Sequence, residues 1–240
     1  VQHRPIKQIE RRHIQAIRNQ FKHIPRTADE FRKVAHLLLG FAEDMGWIAH
    51  NPAAKLKTWN TKPDEYRRWT EDEHQAFQEQ HSDGPMRTAY ELGRWLGQRR
   101  KDIVEMTWGQ YNGTHIRLRQ SKTGKYLEIP AHPKLQAYLD SVDRGDSTML
   151  VPSKTGGQHD LSAFSKRFRK ALTEAGLGPE VCFHGLNKEL MAALAEAGCT
   201  VPQMMAITGR SQEMCEHYAR VADKKCLSNS GVAKLADYKK

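Results

Sequence analysis

The chain has 240 residues, 38% of them hydrophobic, with 38 Lys/Arg against 28 Asp/Glu for a net charge of +10. That length allows one large domain or two modest ones. The composition excludes a wholly disordered chain, the lack of a long apolar run excludes a membrane-spanning helix, and the excess of positive charge favours a polyanionic partner, nucleic acid before a membrane surface.

The charge is concentrated at one end. Residues 1–62 carry 12 Lys/Arg against 5 Asp/Glu, and the remainder carries 26 against 23. A small basic segment ahead of a nearly balanced one suits a nucleic-acid grip better than an evenly basic surface does. The chain begins at Val1 rather than Met, as expected of a fragment lacking an N-terminal piece. Residues 5–20 and 27–46 read as helices. The second has apolar residues at three- and four-residue spacing, Phe31, Val34, Leu37, Leu38, Phe41 and Met45, which predicts its core face. Thr27 with Glu30 forms a capping box at its start, and Gly46 ends it. Asn51-Pro52 marks a turn, and the aperiodic stretch 58–66 containing Pro63 reads as a linker. These features divide the chain into a helical domain, 1–62, and a larger domain, 63–240.

In the larger part, Thr70 caps a helix with Glu73 as its partner. A helix over 86–97 leads into Arg99, and a short one follows over 101–108. Residues 114–120 and 126–130 alternate as strands around the turn Lys122-Thr123-Gly124-Lys125. Helices follow near 133–142, 161–175, 185–197, 201–207 and 211–222, and the tail 224–240 is weakly helical. The fold class is therefore mainly α with one small antiparallel β-sheet.

Several polar residues stand out against this frame. Arg99 follows a Gly-Gln turn, with Asp102 three residues on; Lys122 sits on a hairpin tip beside Gly124; His184 precedes a helix; Tyr218 lies late on one, with His217 and Arg220 nearby. Each has an ordinary alternative: a surface cation cluster, a solvated turn, a capping histidine, an amphipathic tyrosine. Together they supply what phosphoryl transfer without a metal requires. Guanidinium forks bind phosphate oxygens, a proton donor serves the leaving oxygen, and a nucleophile sits among cations that favour its phenolate. Lys122–Lys125 is not a phosphate-binding P-loop, since Tyr126 follows Gly124-Lys125 where Ser or Thr is needed. The four cysteines, 182, 199, 215 and 226, form no Cys-x-x-Cys; the pairs Cys182/His184 and Cys215/His217 lack usual zinc spacing, and reduced thiols are the simpler reading.

In order and spacing, the segments around Arg99, Lys122, His184 and Tyr218, preceded by Thr27–Pro52, resemble the tyrosine site-specific recombinases, the phage integrase family. The resemblance implies a two-domain C-shaped DNA clamp. It implies a DNA strand transferase acting through a 3′-phosphotyrosyl intermediate with no metal or nucleotide cofactor. Tyr218 would be the nucleophile, Lys122 the general acid, Arg99 a phosphate clamp, Asp102 its support and His184 a proton-transfer aid. It further implies double-stranded DNA as partner, a homo-tetramer on DNA, a directionality factor, and a cytoplasmic, nucleoid-associated setting in a prokaryote. The chain departs from the family at two places. Asn187 stands where His-x-x-Arg requires a second arginine, and Arg210 follows Gly209 where a histidine is usual, with the interval to Tyr218 one residue short, so that either Arg210 replaces that histidine or the histidine is deleted. Two readings follow: a recombinase in which Arg210 supplies the charge that Asn187 lacks, or a DNA-binding protein that has lost cleavage. An unrelated basic helical regulator is a third. Expected phosphate contacts are Arg11, Arg12, Arg18, Arg32 and Lys33 in the first domain and Arg100 and Lys125 in the second.

Overall fold

The structure is a computed structural model that describes residues 5–59 and 66–238. The chain divides into two compact units, Val1–Glu65 and Tyr66–Lys240. Most of the expected linker, residues 60–65, lies outside the described residues.

The first unit pairs α1 (Arg11–Gln20) with α2 (Pro25–Asp44) after a short 3-10 turn, Ile6–Gln8. The helix expected over 5–20 is thus broken. Glu10 is extended and caps α1, and its own N–H is accepted by His13 Nδ1 at 3.1 Å. α2 starts two residues before Thr27, because Pro25 takes the first helical position, where a missing N–H costs nothing and a fixed φ helps. Gly46 (φ +70°) supplies the left-handed residue after its end, as expected.

The predicted core face of α2 is corrected by the structure. Val34, Leu37, Leu38, Phe41 and Met45 are exposed; Phe31 alone of the six packs on the core. Buried instead are Ala28, Leu39 and Ala42. Leu39 packs there with Ile14, Ala53 and Leu56, so the helix is turned away from the face that its bulky side chains suggest.

The second unit begins with α3 (Glu71–Gln80), capped by Thr70 and Glu73 as expected. There follow α4 (Pro85–Leu96), α5 (Arg100–Val104), strands β1 (His115–Arg119) and β2 (Tyr126–Pro130), and α6 (Pro133–Ser141). α7 (Leu161–Glu174), α8 (Phe183–Glu196), α9 (Val201–Thr208) and α10 (Gln212–Tyr238) complete it. The mainly helical class with one small antiparallel sheet is as expected, with Ile116 opposite Ile129 and Leu118 opposite Leu127 on the buried face.

Three local expectations change. α5 stops at Val104, and Trp108 opens a 3-10 turn instead of ending the helix. α8 starts at Phe183, because Cys182 is extended and serves as its N-cap, so His184 lies inside the first turn. α10 runs through the expected break near 223 to Tyr238. The core is an aromatic-rich cluster that includes Phe77, Tyr90, Phe164, Phe168 and Phe183. It joins α3, α4, α7 and α8, and so fixes the two helices that lead to Arg99 and carry His184.

Candidate active site

Four turns or helix starts converge on one cleft of about 900 Å³ in the second unit. α4 ends at Gly97 in the left-handed conformation (φ +59°), which turns the chain so that Arg99 becomes the N-cap of α5. The β1–β2 turn brings Lys122 and Lys125. The first turn of α8 brings His184 and Asn187. Gly209 (φ +65°) ends α9 and turns the chain into Arg210. Arg99, Arg100, Lys122, Lys125, His184, Asn187 and Arg210 all line the cleft, and no carboxylate does. Five cations in one concavity, with no carboxylate among its described lining residues, focus a positive field on whatever enters.

Asp102 stands behind this lining. It is buried, accepts the Ser121 N–H at 2.8 Å through Oδ1, and sets Oδ2 4.0 Å from Arg99 Nη1. Neither of those last two atoms makes a hydrogen bond among the described residues. Asp102 therefore orients Arg99 from behind the cleft by charge and not through a hydrogen bond. Arg210 donates from Nη2 to the Gly97 carbonyl at 3.3 Å. Burial first, then the Arg99 charge, lower its pKa, while the neighbouring Tyr218 and Asp102 act the other way. The guanidinium stays protonated but is poorly neutralised, which prepares it for an anion.

Partial desolvation first, then the charges of Arg210 and Lys188, hold the His184 imidazole below its ordinary pKa. Its ring meets Tyr66 edge-on, with centroids 4.9 Å apart. Asn187 is buried, and its Oδ1 accepts no hydrogen bond among the described residues.

Tyr218 is placed differently. It is half-buried on α10 against the cluster of Met191, Ala195, Met204 and Cys215, and it is not among the cleft's lining residues. Arg210 is the cleft residue whose charge it influences. Arg100 donates to Ser165 Oγ at 2.5 Å and Lys125 to the Gly209 carbonyl at 3.4 Å, so both are partly engaged by the protein.

In the first unit, Arg18 departs from its expected role. It is buried, pairs with Asp29 at 2.6 Å and lies 4.1 Å from the centre of the Trp59 ring. Lys33 pairs at the surface with Glu30, and Arg32 is half-buried. Arg11 and Arg12 share a groove of about 590 Å³ with Lys55 and Lys57, two cations the sequence reading did not single out. Among the second unit's residues it missed Gln98, Gln120 and Tyr66. Gln120 had a signal: it follows Ile116 and Leu118 at the strand's two-residue period and so continues the buried face.

Among the described residues there is no group of three or more His, Cys, Asp or Glu that could hold a metal ion, and no helix is long and apolar enough to cross a membrane. Residues 66–225 match the family described as the phage integrase family. The integrase of Escherichia phage HK022 is 29% identical over 157 residues, which cover 59% of this chain and 43% of that protein. The chain thus spans less than half the length of this curated relative. Among solved structures, a lambda integrase dimer bound to a COC′ core site superposes with a TM-score of 0.76 at 24% identity, covering 89% of this chain and 84% of that one. The Tn1549 transposon integrase in complex with transposon right-end DNA superposes with a TM-score of 0.73 at 13% identity, covering 94% and 87%. At these identities the superpositions describe the fold.

Proposed function

The chain belongs to the phage integrase family, and we propose that it cuts and rejoins double-stranded DNA as the site-specific recombinase of a mobile element, with Arg210 in place of a missing second arginine. The observation that carries this reading is the meeting of Arg99, Lys122, His184 and Arg210 in one cleft free of carboxylates. A phosphodiester is the substrate that such a cleft neutralises. The Tyr218 phenolate oxygen attacks the phosphorus, forming a tyrosyl–phosphate ester, and the P–O bond to the 5′ oxygen breaks. Lys122 gives that oxygen its proton. Arg99 and Arg210 hold the non-bridging oxygens, Asp102 holds Arg99, and His184 assists the proton. The ester conserves the phosphodiester energy, so rejoining by a 5′ hydroxyl needs no nucleotide. The protein works as a tetramer on DNA in a prokaryotic cytoplasm, with a directionality factor biasing the outcome.

Nicked duplexes from the junctions of the encoding element test this reading. A denaturant-resistant protein–DNA adduct is expected, and its absence on DNA that is demonstrably bound would refute cleavage. That second outcome defines the alternative, an integrase-derived protein that binds without cutting. It is favoured by Asn187 Oδ1, which accepts no hydrogen bond among the described residues, and by the position of Tyr218 outside the cleft lining.

Two further results are expected. Arg11, Arg12, Lys55 and Lys57 contact the DNA backbone from the first unit. The Arg12→Ala, Lys57→Ala double variant should therefore lower the slope of log affinity against log salt by roughly two, read by titration at several salt concentrations, with little change in sequence preference. Binding should also take up a proton at His184. Burial first, then the Arg210 and Lys188 charges, depress its pKa in the free protein; a bound phosphate leaves the burial in place but opposes the two charges, so the bound pKa is the higher one. Affinity should then rise as pH falls through the His184 range, by up to about tenfold per unit of difference between the two pKa values. A His184→Gln variant should flatten the profile; an unchanged profile would remove His184 from the phosphate.

A further inference from the structure

The turns that carry Arg99, Lys122 and Arg210 are distant in sequence, and two buried side-chain amides tie them together. Gln98 and Gln120 are 0% and 1% exposed. Gln120 donates from Nε2 to Gln98 Oε1 at 2.7 Å and to the Thr208 carbonyl at 3.0 Å, and its Oε1 accepts from Thr123 Oγ1 at 2.7 Å. Gln98 donates from Nε2 to the Leu96 carbonyl at 2.9 Å and, at longer range, to the Ile207 and Thr208 carbonyls at 3.4 and 3.5 Å. The Gln120 backbone closes the Lys122 turn, its carbonyl accepting from Gly124 and its N–H donating to Lys125, both at 2.8 Å. A Cβ at Gly209 would fall 2.5 Å from Gln120 Nε2, so glycine is what permits this approach.

Neither amide lines the cleft, and neither titrates. Burying two amides in place of apolar side chains brings no gain unless their bonds do something that apolar contact cannot. Here the bonds from Gln120 to Gln98 and Thr208, and the longer ones from Gln98 to Ile207 and Thr208, cross between segments that carry cleft cations: Gln98 adjoins Arg99, Gln120 lies two residues before Lys122, and Thr208 lies two before Arg210. We propose that Gln98 and Gln120 are positioning residues, an amide clamp that sets the spacing of the Arg99, Lys122 and Arg210 turns so that the three cations address one phosphate. This inference rests on the cleavage reading above. A misplacement of about 1 Å in such a site costs on the order of 10²-fold in rate.

The test is Gln120→Glu in the full chain. At high pH the carboxylate cannot donate and faces two acceptors, Gln98 Oε1 and the Thr208 carbonyl; once protonated it donates one bond again. Adduct formation should fall on the order of 10²-fold at high pH, with DNA affinity largely kept, and the deficit relative to the unaltered protein should shrink as pH is lowered through the range of a buried carboxyl. A loss that does not vary with pH, or that is matched by Thr88→Val, a remote buried hydrogen-bond change, at equal loss of melting temperature, would overturn the clamp. Hydrogen exchange on Gln120→Leu reads the same coupling without DNA. Protection should drop in both 121–125 and 207–211, and a change confined to 121–125 would overturn it. If the unaltered protein forms no adduct, the cleavage reading fails, and the exchange result decides the clamp by itself.

Discussion

Replacing Arg210 by alanine is expected to lower the rate of adduct formation by about 10²–10³, the usual cost of removing one preorganised donor from a developing charge. The expectation follows from charge and place. Arg210 lines the cleft with Arg99, is anchored to the Gly97 carbonyl, and makes no ion pair with a carboxylate among the described residues. Asn187, which the proposed reading places where the family has its second arginine, offers a hydrogen bond but no charge. The converse change, Asn187→Arg, should restore part of the activity lost in Arg210→Ala and add much less when Arg210 is present. Rapid-quench trapping on nicked duplexes separates the cases. If Asn187→Arg raises cleavage while Arg210→Ala leaves it untouched, Arg210 is not the substitute.

The second large effect belongs to the first unit. Asp29→Ala should destabilise that unit by about 3–5 kcal/mol, because it leaves the Arg18 charge buried without its partner. Arg18 and Asp29 have side chains only 2% and 6% exposed, and Arg18 Nε already lacks a hydrogen-bond partner among the described residues. Asp29 also accepts the Trp59 backbone N–H, so the change removes that bond as well. Denaturant titration should show an early transition in Asp29→Ala. Replacing both partners, Arg18→Met with Asp29→Leu, should be far milder, since the pair's cost of desolvation disappears with its attraction. Equal losses in the two variants would mean that the pair's geometry, not its uncompensated charge, governs the unit.

The elements of the second unit were legible because their signals are local: Thr70 with Glu73, the alternation through Ile116 and Leu118, and glycines where φ is positive. The cleft's residues were legible for another reason. Each sits at an element boundary, where a short polar run interrupts the hydrophobic period and the chain resemblance supplies the order. What stayed hidden depends on packing between distant segments. Bulky apolar residues on α2 gave the stronger periodic signal, yet the face it buries carries Ala28, Asp29, Leu39 and Ala42. Arg18 carries the same sequence signature as Arg11 and Arg12, and only the presence of Asp29 and Trp59 around it decides that it faces inward. Gln98 and Gln120 read as turn polars until their shared partner, the Thr208 carbonyl, is seen.

Tyr218 is the residue on which the functional reading depends, and it is also the one that lies outside the lining of the cleft. The direct measurement is to trap the adduct, digest the DNA with nuclease and the protein with trypsin, and sequence the modified peptide by mass spectrometry. Cleavage after Arg210 and Arg220 isolates residues 211–220, which contain one tyrosine. A nucleotide joined through its 3′ phosphate to Tyr218, absent from Tyr218→Phe, is the expected result. A modified residue elsewhere, or bound DNA with no modified peptide, would contradict a Tyr218 recombinase.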